Sequence, residues 1–347
     1  MVNDKMDRDP GSDKILSLVV PTYNMEKYLP ACLDSVTDEL IGDSLEVIVV
    51  NDGSTDRSPD IIRQYEQKRP DLIKVIDKPN GHYGSCVNAG LAVATGKYFK
   101  ILDADDWFDT QALAAFLQKL ETCDTDLVIT LRVDELFDGD QKVDEQKHSF
   151  NTVFKDHVYQ AAEFSIRTHA YESEFGMNGM AYKTRLLRDM GFRLPEGINS
   201  TDTLYCFLPY SQVKDFVVYD LYLYHYRIGR EGQSVGSDSQ KKNLMQIVEM
   251  VEAMFNRMDA ETVGKHVRKN QAYFVDGAVN FCLHSLKMQS RIKPSDYPQF
   301  DSLIRHIRKY GVRHQLFKKW YLKLWRKTES ARALDWALRL HSLANGK

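Results

Sequence analysis

The stretch EVIVVNDGSTD, Glu46 to Asp56, decides the fold. Leu45–Val50 is almost continuously apolar and does not alternate, the pattern of a strand buried on both faces. It stops abruptly in Asn51–Asp52–Gly53–Ser54–Thr55–Asp56, a run of turn-forming and helix-capping residues. A helical pattern over Pro59–Lys68 follows. Buried strand, polar turn and helix together make one half of a βαβ unit.

The same rhythm repeats on both sides. Apolar runs of strand length lie at Ile15–Val20, Leu72–Ile76 and Tyr98–Leu102, and helical patterns at Glu26–Thr37, Ser85–Ala94 and Gln111–Thr122. The predicted fold class is α/β, a mostly parallel sheet flanked by helices. Leu127–Leu136 reads as a strand and Asp138–Gly139–Asp140 as a turn. Gln160–Thr168, Thr184–Met190 and Asp202–Leu208 read as helices, and Phe216–Tyr226 as two strands broken at Asp220. Beyond Gly236 the chain reads as a helical array. The expected organisation is a disordered tail over 1–13, a domain over 14–235 with halves 14–125 and 126–235, and a helical region over 236–347. The boundary is placed in Gly229–Ser239.

Ligands of such sheets bind outside the carboxyl ends of the strands. Three polar turns occupy those ends: Pro21–Thr22–Tyr23–Asn24, Asn51–Asp56, and Asp103–Ala104–Asp105–Asp106–Trp107. Each has a plain structural reading as well; Asp56 or Ser58 is equally suited to capping the next helix. Three carboxylates within four residues repel one another, however, and a divalent cation offsets that repulsion. One or two carboxylates, completed by phosphates, suffice to hold magnesium or manganese.

These residues resemble family 2 glycosyltransferases of the GT-A fold. The matching pieces are VVPTYN (Val19–Asn24), Leu33–Val36, EVIVVNDGSTD, NAGLAVATGKY (Asn88–Tyr98) and LDADDW (Leu102–Trp107), in the family's order and spacing. The likeness covers the first ~110 residues strongly and fades towards Ser234. It implies a Rossmann-like nucleotide-binding half and a nucleotide diphosphate sugar as donor. By the family pattern Pro21 and Tyr23 lie against the base, and Asp52 accepts a ring N–H. A carboxylate accepts from uracil, thymine or guanine but not from cytosine, so UDP is expected first. Asn80 is a further base contact. Asp103 lies near ribose or metal, Asp105 holds Mn2+ or Mg2+ against the phosphates, and Asp106 orients the loop. One position departs from the pattern: many relatives carry Arg before the Asn of the third helix, where Val87 precedes Asn88. His82 and Lys78 are the candidates to replace it.

Direct displacement with inversion needs a carboxylate opposite the leaving diphosphate. The stretch matching the family's base motif is Gly197–Tyr205, which gives Asp202 that role, with Thr201 where Glu is common. The structural alternative makes Ser200 or Asp202 a helix cap. As an anion at a helix start, Asp202 is expected to be ionised at neutral pH. Glu172, Glu174 and Asp134 are next in line. Tyr224–Arg227 and Gly229–Ser234 resemble the family's loop over the donor, where Arg227 and Arg230 suit phosphate oxygens. His225 reads as a packed strand histidine or an extra metal ligand.

Composition narrows the partners. The 347-residue chain has a net charge of −3, yet Lys287–Lys327 alone carries +10, leaving −13 for the rest. Within it, Phe317, Trp320, Tyr321, Leu324 and Trp325 form one helical stripe among basic residues. That pattern suits either peripheral contact with a membrane or packing on the main domain; no nucleic acid partner is expected. The odd count of five cysteines, without a C-x-x-C pair, fits a reducing, cytoplasmic setting. No signal peptide is read at the start of the chain, and no apolar run approaches the ~18 residues that cross a bilayer. A sugar nucleotidyltransferase would need a Gly-rich basic loop after the first strand, and a Rossmann dehydrogenase G-x-G-x-x-G; neither occurs. A kinase fails as well, because Gly96–Lys97 lacks the rest of a P-loop. A non-catalytic carbohydrate-binding protein is the remaining rival, disfavoured by the joint presence of Asp52, Asp103, Asp105 and Asp202. The expected reaction is transfer of a sugar to a hydroxyl of a glycan, polymer or lipid-linked acceptor in cell-surface polysaccharide synthesis.

Overall fold

The computed structural model describes residues 13–149, 153–166, 175–198, 201–230, 244–287, 295, 299–310, 323, 327–328, 330, 332 and 334. The chain divides into two compact units, Met1–Arg230 and Glu231–Lys347.

In the first unit, β1 (Leu16–Thr22), α1 (Leu29–Thr37), β2 (Leu45–Asn51), α2 (Ser58–Lys68), β3 (Ile73–Asp77), α3 (His82–Val93) and β4 (Tyr98–Ile101) follow the expected alternation. The two-residue β5 (Trp107–Phe108) and α4 (Thr110–Thr122) come next. Every residue of β1 and β2 is buried, as their unbroken apolar runs require. The second half adds β6 (Leu127–Asp138), β7 (Gln141–His148), β8 (Val158–Gln160), β9 (Met180–Lys183), α5 (Thr184–Asp189), α6 (Asp202–Tyr210) and β10 (Asp215–Ile228).

The sheet runs β3-β2-β1-β4-β9-β6-β10-β5, with β7 on β6 and β8 on β10. Its strands β1 to β4 pair in parallel, as expected. The second half is mixed: β9 lies antiparallel between β4 and β6, while β10 is parallel to β6. The Asp138–Asp140 turn closes the β6–β7 hairpin, with Gly139 at φ +62°. Residues 161–163 form a turn and 164–165 are irregular, where a helix was expected. Gln160 O caps a single turn, and Phe164 is drawn into an aromatic cluster with Tyr159, Phe175 and Phe216. Phe216–Tyr226 lies within one strand, not two; the break expected at Asp220 appears as register shifts against β6 between Val218 and Tyr224.

A buried carboxylate ties the parallel strands together. Glu46 accepts from Ser17 Oγ at 2.6 Å, Lys74 Nζ at 2.6 Å, Thr95 Oγ1 at 2.9 Å and Gly96 N at 3.2 Å. Burial pushes its carboxyl up, but Lys74, Ser17 and Thr95 more than offset that and hold it below the usual range.

The second unit contains α7 (Leu244–Ala260), α8 (Lys265–Lys287) and α9 (Gln299–Lys309). Phe255 stacks on His306 and Tyr310, and Asp259 accepts from Lys309 at 2.7 Å. The Phe317–Trp325 stripe and residues 231–239 of the expected boundary lie outside the described residues. Among the described residues no helix is long and apolar enough to cross a membrane, and all five cysteines are free and buried.

Candidate active site

The turns after β1 and β2 are laced to one another. Asn24, at φ +54°, accepts from Thr55 N at 2.8 Å, and Ser54 Oγ accepts from Asn24 N at 3.1 Å. Asp56 accepts from Glu26 N and Ser58 N, both at 2.9 Å, while Glu26 accepts from Arg57 N at 2.9 Å. Asp56 is therefore spent on bracing the two turns and the start of α2. Pro21 is buried at the end of β1, opposite Val50. Tyr23 projects beyond it and is 47% exposed, a free aromatic surface at the sheet edge.

Asp52 is buried beneath this edge. Its Oδ1 accepts from Lys78 Nζ at 2.5 Å and from Gly81 N at 2.9 Å. Gly53, at φ +74°, lets Asn80 approach: a Cβ there would lie 3.1 Å from Asn80 N. Asn80 is itself exposed. His82, at φ +64°, donates its N–H to Asn80 Oδ1 at 3.4 Å. Val87 is fully buried in the core.

The turn after β4 holds three carboxylates in three different settings. Asp106 is buried and fixed, accepting from Tyr224 OH and Arg227 N, both at 2.7 Å. Burial and the charges of Asp105 and Asp103 push its carboxyl well up. Asp103 accepts from Tyr83 OH at 2.6 Å. Burial, and next the charge of Asp105, raise it to about 7; Tyr83 pulls down and Asp202 pushes up. Asp105 is ion-paired with Arg230, and its carbonyl accepts from Arg227 Nε at 3.3 Å. Arg227 lies over Phe137 and Trp107, and both arginines lie over Tyr28. His225 takes the packed arrangement, 2.6 Å from Glu135 through Nδ1 and stacked on Trp107.

Asp202 is the first residue of α6 and makes no side-chain cap; the capping position is Thr201. The segment leading to it is clamped onto α3. Asn88 exchanges hydrogen bonds with both backbone groups of Leu194, each at 2.9 Å, and Gly197 N donates to Gly81 O at 3.0 Å. Gly84 permits this, since a Cβ there would meet Pro195 O at 2.1 Å. Asp202 remains accessible to solvent, yet protein surrounds it closely enough that desolvation raises its carboxyl, against the N–H groups of Thr203 and Asp202. Desolvation there outweighs the pull of the N–H groups at the helix start. Among the other base candidates, Asp134 is engaged by Arg132 at 2.7 Å and His148 at 2.8 Å; Glu172 and Glu174 lie outside the described residues.

Sequence reasoning missed Tyr83, Tyr224 and Asn88. Each is placed by a long-range hydrogen bond that no local pattern announces, although Asn88 and Tyr224 stand inside matched segments. Among the described residues no three His, Cys, Asp or Glu side chains form a ready metal cage.

Residues 17–184 match the family described as Glycosyl transferase family 2. An uncharacterized glycosyltransferase of Nostoc sp. is 35% identical over 131 residues, 38% of this chain and 40% of that protein. The putative glycosyltransferase EpsH of Bacillus subtilis is 36% identical over 129 residues, 37% of each chain. The match thus spans about two fifths of these relatives' length. The structure of S. aureus TarS residues 1–349 in complex with UDP-GlcNAc superposes with a TM-score of 0.67 at 20% identity, covering 96% of this chain and 92% of that one. Strand order, the polar turns at the strand ends and these matches agree: the chain carries a family 2 glycosyltransferase domain with the GT-A fold.

Proposed function

We propose that this protein is an inverting glycosyltransferase that moves a sugar from a nucleoside diphosphate, UDP first, to a hydroxyl of a glycan, polymer or lipid-linked acceptor in cell-surface polysaccharide synthesis. One observation carries the reading. The carboxylate Asp52, the Asp103–Asp105 turn and the carboxylate Asp202 gather at the carboxyl edge of one sheet. The charge of Asp202 reaches Asp103 from a separate part of the chain. UDP-GlcNAc in the TarS structure, which shares the fold, supports a uridine donor.

Tyr23 offers its ring to the base and Asp52 accepts a ring N–H. Asp103 and Asp105 fit a divalent cation, Mn2+ or Mg2+. Asp103, held up near 7 by burial and by Asp105, marks a place with more negative charge than its surroundings accommodate. Bound there, the cation would neutralise the departing diphosphate. Arg227 and Arg230 stand beside the same turn and suit the phosphate oxygens. Asp202 takes the acceptor proton. A cytoplasmic setting, with the basic stretch Phe317–Lys327 at an anionic membrane surface, completes the proposal; five free cysteines and the net +10 of Lys287–Lys327 support it.

The test is binding of UDP, GDP, TDP and CDP in the presence of manganese, for the wild-type chain and Asp105→Ala. UDP should bind most tightly, and the variant should lose metal-dependent binding and turnover. Preferred CDP binding, or full activity in excess chelator, would overturn the assignment.

A further inference from the structure

The missing cation before Asn88 has a counterpart at Lys78. We infer that Lys78 is a positioning residue that fixes Asp52 so that a single carboxylate oxygen faces the donor base, and that it thereby sets the preference for bases carrying a ring N–H. This rests on the proposed reading of the site as a nucleotide site.

The ammonium has three protons and three acceptors: Asp52 Oδ1 at 2.5 Å, Pro79 O at 2.7 Å and Ser85 Oγ at 2.8 Å. Ser85 Oγ in turn donates to His82 O at 2.7 Å, so its hydroxyl is oriented to receive Lys78. The proton count leaves the lysine nothing to offer a phosphate. Asp52 Oδ1 is likewise saturated, by Lys78 and by Gly81 N at 2.9 Å. The Cys86 thiol, a weak donor, also reaches Asp52; among the described residues no N–H or O–H group donates to Oδ2, which is the oxygen left to read a base.

The surroundings are built around this ammonium. A Cβ on Gly81 would lie 3.0 Å from Lys78 Nζ and 2.7 Å from Ser85 Oγ, so only glycine leaves room for it. The lysine backbone is pinned as well, its N–H donating to Asn51 O at 3.0 Å. Lys78 thus grips both ends of the Asn51–Asp52 turn. A carboxylate held this way rewards a ring N–H and leaves cytosine, which has none, facing an unpaired acceptor.

The experiment is calorimetric titration of UDP and of CDP, with manganese, into the full chain as wild type, Lys78→Met and Ser85→Ala. Circular dichroism checks that each variant is folded. Lys78→Met should weaken UDP about tenfold or more, the scale of a lost charged hydrogen bond, while CDP stays within about threefold. The UDP-to-CDP ratio then collapses. Ser85→Ala should move the ratio the same way by less. An unchanged ratio in Lys78→Met overturns the inference. So does an equal loss for UDP and CDP, which would place Lys78 on the diphosphate. Should Lys78→Met fail to fold, Ser85→Ala decides, and an unaltered ratio there is the refuting result. A wild-type chain that does not prefer UDP to CDP removes the underlying reading of Asp52, and the inference with it. Where the wild type does prefer UDP, the variants test Lys78 alone.

Discussion

An aspartate at the first position of a helix ordinarily holds its proton weakly, because the helix N-terminus favours the anion. Asp202 does the reverse, its carboxyl raised by the protein that crowds it despite the N–H groups at the helix start. This has a kinetic sign. A general base must be ionised, so turnover should fall as pH drops through the raised value, before it reaches the ~3.9 of an ordinary aspartate. Asp202→Asn should cut turnover by about 10²–10⁴, remove that acid limb, and leave UDP affinity near wild type. Pre-steady-state rates across pH, with UDP titrations alongside, check all three. Near-normal turnover in the variant would return the role to another carboxylate. The position of the candidate residues was legible from the strand pattern: Tyr23, Asp52, Asp103 and Asp105 follow the carboxyl ends of β1, β2 and β4. Their partners were not. Tyr83 reaches Asp103 from twenty residues away and Tyr224 reaches Asp106 from 118, and tertiary folding alone brings such pairs together.

At the scale of elements, Glu46 shows how the strand carrying the base-side turn is held. It sits at the start of β2, donates nothing, and collects protons from β1, β3 and the loop before β4. Glu46→Gln leaves buried donors poorly matched and should cost about 1–3 kcal/mol at pH 7. The carboxyl lies below its usual value in the folded chain, so its contribution is fully present above the unfolded value of ~4.3 and is lost as pH falls through the folded one. Urea midpoints for wild type and Glu46→Gln should therefore converge below pH ~4. A gap that persists in acid would deny the carboxylate this part. Element existence in 14–125 could be read from continuous apolar runs because each strand is followed by its own helix. The region after Leu127 was less legible. Residues 161–165 carry a helical composition, but Phe164 is worth more in the aromatic cluster on β10 than on a helix face. The irregular pairing near Asp220 replaces an end with a bulge, which keeps β10 long enough to deliver Tyr224 and Arg227 to the Asp105 turn.

For the whole molecule, the parallel half of the sheet follows from local sequence and the mixed half does not. Placing β9 beside β4 joins residues that are more than eighty positions apart in the chain, and nothing in Met180–Lys183 names its neighbours. The charge division belongs to this scale too. Removing everything after Gly311 takes away six of the twelve basic residues of Lys287–Lys327. At roughly 1 kcal/mol for each basic residue near an anionic surface, the truncated chain should lose co-sedimentation with phosphatidylserine vesicles that the intact chain shows. Equal binding by both chains, or none by either, would assign the aromatic stripe to packing instead.

Arg230 holds Asp105 in an ion pair. On the proposed chemistry two cations compete for one carboxylate, and the nucleotide arbitrates: its diphosphate gives the guanidinium somewhere else to go. Cation and nucleotide should then bind with positive coupling, each strengthening the other by the same factor, about 5–150-fold. Manganese titrations with and without UDP measure that factor directly. In Arg230→Gln the competitor is gone, so manganese alone should bind more tightly and the coupling should shrink. An enzyme wired this way would keep a metal only while it holds its donor, and Arg230 would return to Asp105 as the products leave.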